Sequence, residues 1–253
     1  MERLTSRKSA VIRAFRDLAR SSAAREEKGL FLCDGQKLLQ EALRSGVSVE
    51  TVLWKENRAA DLPPFPQEAL LPADLFDYVS PMSNSPGPLF SVRMPSAPDL
   101  YKVRRVLALE ELQDPGNVGT VLRTADAFGV DLVVLLEGCA DLYAPKTVRA
   151  SMGAVFRQAA VRMDAEAFIS FCREKNLPLW GAALTDTARD LRSLPLDPAA
   201  VLIGSEGHGL SRELLRACDG EIIIPMSGEA ESLNAAVAAT IVMWEMQRSR
   251  QKE

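Results

Sequence analysis

The sequence predicts an α/β protein built mainly on a parallel sheet. Three observations carry this. In the second half, compact apolar runs alternate with helical patterns. Those runs are continuous rather than every-other-residue, as strands covered on both faces require. A proline-rich stretch at residues 81–98 separates them from a shorter strand–helix–strand pattern in the first half.

The elements follow in order. Residues 1–25 hold seven Lys or Arg against two acids. Val11, Ile12, Phe15, Leu18 and Ala19 recur at helical spacing, which leaves Arg13, Arg16 and Arg20 largely on the other face. A basic helix of this kind suits phosphate contact, and equally suits a solvated surface. LFLCD at 30–34 reads as a strand, Gln36 to Ser45 as a helix closed by Gly46, and Val49 to Trp54 as a second strand. Five prolines in 81–98 give loop and linker composition, with LFSVRM as a candidate strand inside it. The expected domains are 1–98 and 99–253. Beyond that boundary, Arg105 to Glu110, Leu132 to Leu136, Leu179 to Ala183, Val201 to Gly204 and Ile222 to Ile224 read as strands. Helices are expected over 118–129, 145–156, 164–175, 210–217 and 232–248. In such sheets ligands bind beyond the carboxyl ends of the strands, so the loops there are where chemistry is expected.

Composition narrows the function classes. Of 253 residues 47% are apolar and 25% charged, and the net charge of −4 excludes a polyanion binder of uniform charge. No apolar run reaches the roughly 18 residues of a membrane span, and the N-terminal stretch lacks the apolar core of a secretory leader. Cys33, Cys139, Cys172 and Cys218 are scattered without a CxxC pair, and His208 is the one histidine. Neither a metal centre nor a disulfide framework is expected, and a reducing cytoplasm is.

Three loops stand out. In QDPGNVGTVLRTA, Asn117 occupies an expected helix N-cap, and Gly116 and Gly119 allow close backbone approach. Arg123 points away from the apolar stripe of Val118, Val121, Leu122, Ala125 and Phe128, and its plain reading is a surface pair with Asp126. Glu137 stands where a dinucleotide fold wants an acid, but the G-x-G-x-x-G spacing is absent, which weighs against a nicotinamide oxidoreductase. In VLIGSEGHGLSREL, strand–glycine–helix suggests a phosphate cradle. Glu206 in its middle would repel one and suits a neutral or cationic nucleoside; His208 beside it reads as incidental. In IIIPMSGEAESLNAAVAATIVMWE, Ser232 reads as an N-cap. Ala235, Ala236, Ala238 and Ala239 make a helix smooth enough for close packing.

Together these loops resemble the three signature motifs of the SpoU (TrmH-like) RNA 2′-O-methyltransferases of the SPOUT superfamily. DPGNVGTVLRTADAFG is similar to the first motif, with an arginine six residues after an asparagine. IGSEGHGLS resembles the second, and IPMSGEAESLNAAVAA the third. ADLYAPKTVRASMGAVFR resembles the segment between the first two, and the likeness covers about residues 103–250. FLCDGQKLLQEALRSGVSVETVLWKEN resembles the start of the L30e-like substrate domain that precedes the catalytic domain in this family.

The resemblance implies methyl transfer from S-adenosylmethionine to a ribose 2′-hydroxyl of RNA. It implies a C-terminal trefoil knot and a homodimer, with α-helical surfaces at 118–129 and at Ile241, Val242, Met243 and Trp244 as candidate interfaces. Arg123 is the implied catalytic arginine, with Asn117, Glu206, Ser232 and Asn234 ordering the site and Asn117 and Glu206 holding the arginine. A guanidinium stays protonated, so orientation and stabilisation of the alkoxide are preferred over a base role. The implied cofactor contacts are Ala182, Ala183, Gly204, Glu206, Gly209, Ile224, Met226, Ser232 and Leu233. RNA is expected on the N-terminal domain and basic helix, with Lys102, Arg104, Arg105, Lys146, Arg149 and Arg157 extending the track. Length and a separate first domain lean toward ribosomal RNA. Transfer RNA, and a non-catalytic RNA-binding or ribosome-assembly factor, are the alternatives.

Overall fold

The computed structural model describes residues 1–56, 62–228 and 232–250. Within the quoted motifs, residue 57 and residues 229–231 lie outside the described residues. The chain forms two compact units, one of Met1–Ser96 with Asp141–Phe156, the other of Ala97–Ala140 with Arg157–Glu253.

The first unit holds a sheet of β1 (Glu2–Arg3), β2 (Leu30–Asp34), β3 (Val49–Lys55), β4 (Gln67–Leu71) and β5 (Leu89–Arg93), in the order β1-β4-β3-β5-β2. β5 runs antiparallel between β3 and β2, and the candidate strand in LFSVRM is therefore a central one. Side chains alternate across the sheet as the strand period dictates. Phe31, Cys33, Val52 and Trp54 face one core, whereas Leu32 and Leu53 face the other. The second core is closed by α1 (Ala10–Arg20), through Ile12, Phe15 and Leu18, and by α4 (Ala73–Val79), through Leu75, Phe76 and Val79. The other core takes Leu38, Leu39 and Ala42 of α3 (Gln36–Arg44) and, from the far segment, Val148, Val155 and Phe156. α2 (Ser22–Lys28) is capped by Ser21. β1, β4 and α4 are not legible in the sequence.

The basic face of α1 is only partly free. Arg13 and Arg20 are exposed, but Arg16 lies 4.0 Å over the Tyr78 ring and donates to its hydroxyl. Arg25 is buried against Asp141 and donates a 2.6 Å bond to the Leu18 carbonyl. The proline-rich loop is tied down by Asp34, whose carboxylate accepts from the Ser80 hydroxyl at 3.0 Å and from that of Ser85.

The second unit is a seven-stranded, wholly parallel sheet of β6 (Arg105–Leu109), β7 (Leu132–Leu135), β8 (Ala160–Arg162), β9 (Leu179–Ala182), β10 (Arg189–Asp190), β11 (Ala199–Ile203) and β12 (Gly220–Ile223). Their order is β10-β12-β9-β11-β6-β7-β8. Every residue of β6 and β11, the central pair, is buried. From β6 the chain builds outward through β7 and β8, then crosses to β9, leaving the slot beside β6 for β11. This reversal puts a switch point at the carboxyl ends of β6 and β11, the ligand position of open parallel sheets.

α5 (Pro115–Phe128) turns Val118, Val121, Leu122 and Ala125 of the predicted stripe into the core, while Phe128 at its end is only half-buried. α7 (Ala165–Glu174), α8 (Arg212–Ala217) and α9 (Ala235–Arg250) complete the unit. α6 (Pro145–Ala150) belongs to the segment in the first unit. The expected helix 145–156 is broken there, because Met152 and Gly153 take φ of 51° and 94°. A short 3-10 turn at Ala154–Phe156 follows. That segment, expected inside the domain 99–253, folds with the first unit because its apolar residues cover β2: the Phe31 ring lies 4.8 Å from that of Tyr143 and 6.1 Å from that of Phe156.

Two cap assignments are corrected. α5 is capped by Asp114, whose Oδ1 accepts from the Gly116 and Asn117 amides at 2.6 and 3.1 Å. α9 is capped by Asn234, whose Oδ1 accepts from the Ala236 and Val237 amides at 3.0 and 3.2 Å. Asn117 and Ser232 do not cap. Val242 and Met243, read as interface candidates, are buried. No helix among the described residues is long and apolar enough to cross a membrane.

Candidate active site

The loop after β11 is a closed turn. The Ser205 amide donates to the Gly209 carbonyl at 3.1 Å, and the Gly209 amide returns the bond at 3.0 Å. Gly209 holds φ of +68°, a left-handed geometry that favours glycine. Gly204 is required by space: a Cβ there would stand 2.2 Å from the Gly209 carbonyl carbon. The turn projects Glu206 toward the first turns of α5 and α9.

Glu206 joins the three motif loops. Its Oε1 accepts from Asn117 Nδ2 at 2.8 Å, from Asn234 Nδ2 at 2.6 Å and from the Ala235 amide at 3.3 Å. Asn234 Nδ2 also lies 3.4 Å from Asn117 Oδ1. A carboxylate at a helix N-terminus meets unsatisfied N–H groups and the positive end of the peptide dipoles. Glu206 meets the start of α9 through Ala235 and Asn234 and reaches the first turn of α5 through the Asn117 side chain. Its charge is thus satisfied by neutral donors and it acts as a strut.

The structure brings together Asn117, Glu206 and Asn234 of the five expected catalytic residues. Ser232 and Arg123 are exposed, and neither side chain has a hydrogen bond or ion pair among the described residues. The expected grip of Asn117 and Glu206 on Arg123 is not made, because those side chains are spent on each other. The plain reading of Arg123 also falls: Asp126 bonds Arg157 Nη2 at 2.9 Å. Asn117 and Arg123 lie about 9 Å apart along α5, at 1.5 Å per residue.

Of the expected cofactor positions, Ala182, Ala183, Gly204 and Ile224 lie at the carboxyl ends of strands. Ala182 ends β9, and the Ala183 amide donates to the Ile222 carbonyl at 3.0 Å. Gly204 follows β11, and Ile224 follows β12. Ala182, Ala183, Ile224 and Leu233 are half-buried, whereas Gly209 and Met226 are exposed. No hydrogen bond among the described residues ties Met226 to the others. Small side chains at these strand ends let a ligand reach backbone N–H and C=O groups, which suits a nucleoside read through its edges.

Sequence reasoning missed Glu110. Its Oε2 accepts from the Ser211 amide at 2.7 Å, and its own amide donates to the Ile203 carbonyl at 2.9 Å. It holds the far end of the Glu206 loop against β6; its sequence signal is an acid directly after a buried strand. The expected basic track is partly spoken for: Arg104 pairs with Asp197 at 2.9 Å and buried Arg105 with Asp131 at 3.1 Å. Among the described residues no group of three or more His, Cys, Asp or Glu is placed to hold a metal ion.

The model of the SpoU rRNA Methylase family matches residues 104–244, which contain this entire constellation. The 23S rRNA (guanosine(2553)-2′-O)-methyltransferase RlmP of Bacillus subtilis (strain 168) is 32% identical over 248 residues, covering 97% of this chain and 99% of the relative. A 23S rRNA (uridine(2479)-2′-O)-methyltransferase of Streptomyces viridochromogenes is also 32% identical, over 98% of this chain and 92% of its own length. Among solved structures, the SpoU methyltransferase AviRb of Streptomyces viridochromogenes in complex with the cofactor AdoMet superposes with a TM-score of 0.83. It is 29% identical, over 97% of this chain and all of that one. With its three motif loops gathered on one carboxylate and the family model spanning more than half its length, this chain belongs to the SpoU rRNA methylase family.

Proposed function

We propose that this protein transfers a methyl group from S-adenosylmethionine to a ribose 2′-hydroxyl of ribosomal RNA. The observation that carries the reading is the convergence of Asn117, Glu206 and Asn234, one residue from each motif loop, at the starts of α5 and α9. The names of the two relatives support ribosomal RNA as the substrate class.

S-adenosylmethionine, when bound, supplies an activated methyl group on a cationic sulfonium. Ala182, Ala183, Gly204, Gly209, Ile224, Met226, Ser232 and Leu233 would hold it, largely through backbone atoms. The acidic Glu206 in that loop is compatible with a ligand that carries no phosphate. Arg123 faces the RNA: its fork orients the ribose and its phosphate and steadies the negative charge that develops on the 2′-oxygen. Its exposure and lack of a partner among the described residues support that role. Asn117, Glu206 and Asn234 fix the helix starts between which substrate and cofactor meet.

The first unit, with the exposed Arg13 and Arg20 of α1, is the RNA-binding domain in this proposal. The buried Ala235, Ala236 and Ala239 support a last helix lying tight against a threaded chain, as the knot expected from the family requires. The protein works as a homodimer in the cytoplasm. Trp244 and Val237 remain 53% and 48% exposed on α9, and Trp244 meets Phe128 of α5 edge-on at 5.5 Å, which supports that surface as the interface. Light scattering reads the stoichiometry.

The test is transfer of a labelled methyl group into ribosomal RNA from cells lacking the protein. Wild type should label one site. Arg123→Ala should fold and bind S-adenosylhomocysteine normally while turnover falls by about two or more orders of magnitude. Absence of labelling by the wild-type protein would overturn the function, and near-normal turnover in Arg123→Ala would overturn the role of that residue.

A further inference from the structure

Asp126 stands three residues after Arg123 on α5, at the spacing where an acid and a base meet across one helical turn. By local geometry this carboxylate is the nearest claimant on the Arg123 guanidinium. In the structure it is engaged elsewhere. Arg157, the first residue of the chain's return from the first unit, places Nη2 2.9 Å and Nε 3.3 Å from the same Asp126 oxygen. Arg123 is left without a partner among the described residues, on an exposed face that starts at the Asn117–Glu206 junction.

We infer that Arg157 is a positioning residue: it occupies Asp126 and so keeps Arg123 available to the RNA. The inference rests on the reading of Arg123 as the residue that faces the ribose and phosphate. Two effects of the same sign make an unoccupied Asp126 harmful. It would pair with Arg123, and that pair would have to break before a phosphate is bound. Its negative charge would also repel the incoming phosphates. The Arg157 guanidinium removes both, through a pair of nitrogens on one oxygen.

The side chains of Arg157 and Asp126 are 39% and 30% exposed. A pair in that setting contributes little to stability. It is sufficient to decide which of two arginines a single carboxylate prefers. The contact is therefore expected to act on catalysis rather than on folding.

The experiment is a double-mutant cycle read as methyl transfer into ribosomal RNA, with S-adenosylhomocysteine affinity and Tm measured on every variant. Arg157→Gln should lower kcat/KM for RNA by about two- to five-fold, the range of one exposed ion pair, with Tm and cofactor affinity unchanged. Adding Asp126→Asn to that variant should restore activity to near wild type, because no carboxylate remains to capture Arg123. Asp126→Asn alone should be at least as active as wild type, and Arg157→Lys should retain most activity. A double variant as impaired as Arg157→Gln overturns the proposal and leaves the role of Arg123 standing. Loss of activity in Asp126→Asn alone overturns it as well, and does so even if Arg157→Gln fails to fold. The separate failure of the underlying reading shows itself differently, as near-normal turnover in Arg123→Ala.

Discussion

Gly204→Ala tests whether the Glu206 loop works as a closed turn. The added Cβ would lie 2.2 Å from the Gly209 carbonyl carbon, 2.3 Å from its oxygen and 2.4 Å from the Leu210 nitrogen. Carbon atoms rest about 3.5–4 Å apart, so the loop must open by about 1 Å or more. The obstructing atoms are backbone, and no rotamer change relieves them. Opening by that amount breaks the two bonds between Ser205 and Gly209, now 3.1 and 3.0 Å. At about 1 kcal/mol each the loss is about 2 kcal/mol, or about 4–8 °C in Tm for a unit of this size. The larger effect is on function. Glu206 is carried away from donors at 2.6, 2.8 and 3.3 Å, and a displacement of about 1 Å in such a site lowers turnover about a hundredfold. Differential scanning calorimetry, titration with S-adenosylhomocysteine and a methyl-transfer assay read the three consequences. Gly207→Ala is the control, because nothing lies within 4 Å of a Cβ at that position in the same loop, and it should be nearly neutral. Wild-type melting, affinity and turnover in Gly204→Ala would refute the reasoning.

Two further outcomes follow from the first unit. Burial alone would raise the Asp141 carboxyl, but the Arg25 hydrogen bonds, the Tyr143 amide, the Arg25 charge and Ser22 together hold it below the usual carboxylate range. Its contribution to stability is therefore present above the unfolded value of about 4 and lost as pH falls through the lower folded value. Asp141→Asn should remove that acid dependence and, by leaving Arg25 buried and uncompensated, cost about 2–4 kcal/mol at pH 7; an unchanged denaturation curve at pH 7 and pH 3 would contradict this. A fragment beginning at Ala97 keeps Tyr143, Val148, Val155 and Phe156 but loses Phe31 and the rest of the core they cover. It should aggregate and bind a hydrophobic dye, and a monodisperse fragment with wild-type melting would show that the segment folds without its partner sheet.

The legible parts of the fold were those whose signal is local. β6 and β11 are buried at every position, and a continuous apolar run such as RVLAL, bounded by polar residues and too short for a helix, fits a strand covered on both faces. In the second unit the elements that escaped are short and lie at the sheet's two edges: β8 has three residues, none buried, and β10 has two. A strand that is half solvated and three residues long carries too little periodicity to stand out. The segment 141–156 shows a different limit. Its helical character is readable, but its apolar residues do not say which sheet they cover, because that depends on a partner more than 100 residues away. Arg25 is the same case in charge: one of the seven basic residues counted in 1–25, it is buried by Asp141, 116 positions later in the chain.

The site was legible for a further reason, visible in what its residues leave unused. Taken singly, the motif loops read as a cap, a tight turn and a small-residue helix, and each of those ordinary roles is present. Asp114 caps α5, so the Asn117 amide is satisfied while its side chain is not needed locally. Asn234 spends Oδ1 on capping α9 and keeps Nδ2. Glu206 rides on a turn whose own bonds are made by Ser205 and Gly209. What remains after local bonding is two amide donors and one carboxylate, and these are the atoms that meet. A cap position filled by a residue with more hydrogen-bonding capacity than capping uses is thus a better pointer to a site than the cap itself. Ser232 marks the limit of that pointer: its hydroxyl is also unused locally, yet among the described residues it joins nothing. Arg123 extends the same argument. Its guanidinium carries five N–H donors and, exposed, uses none of them on the described residues, which leaves the whole fork available to a ligand with several acceptors, such as the ribose and phosphate of the proposed substrate.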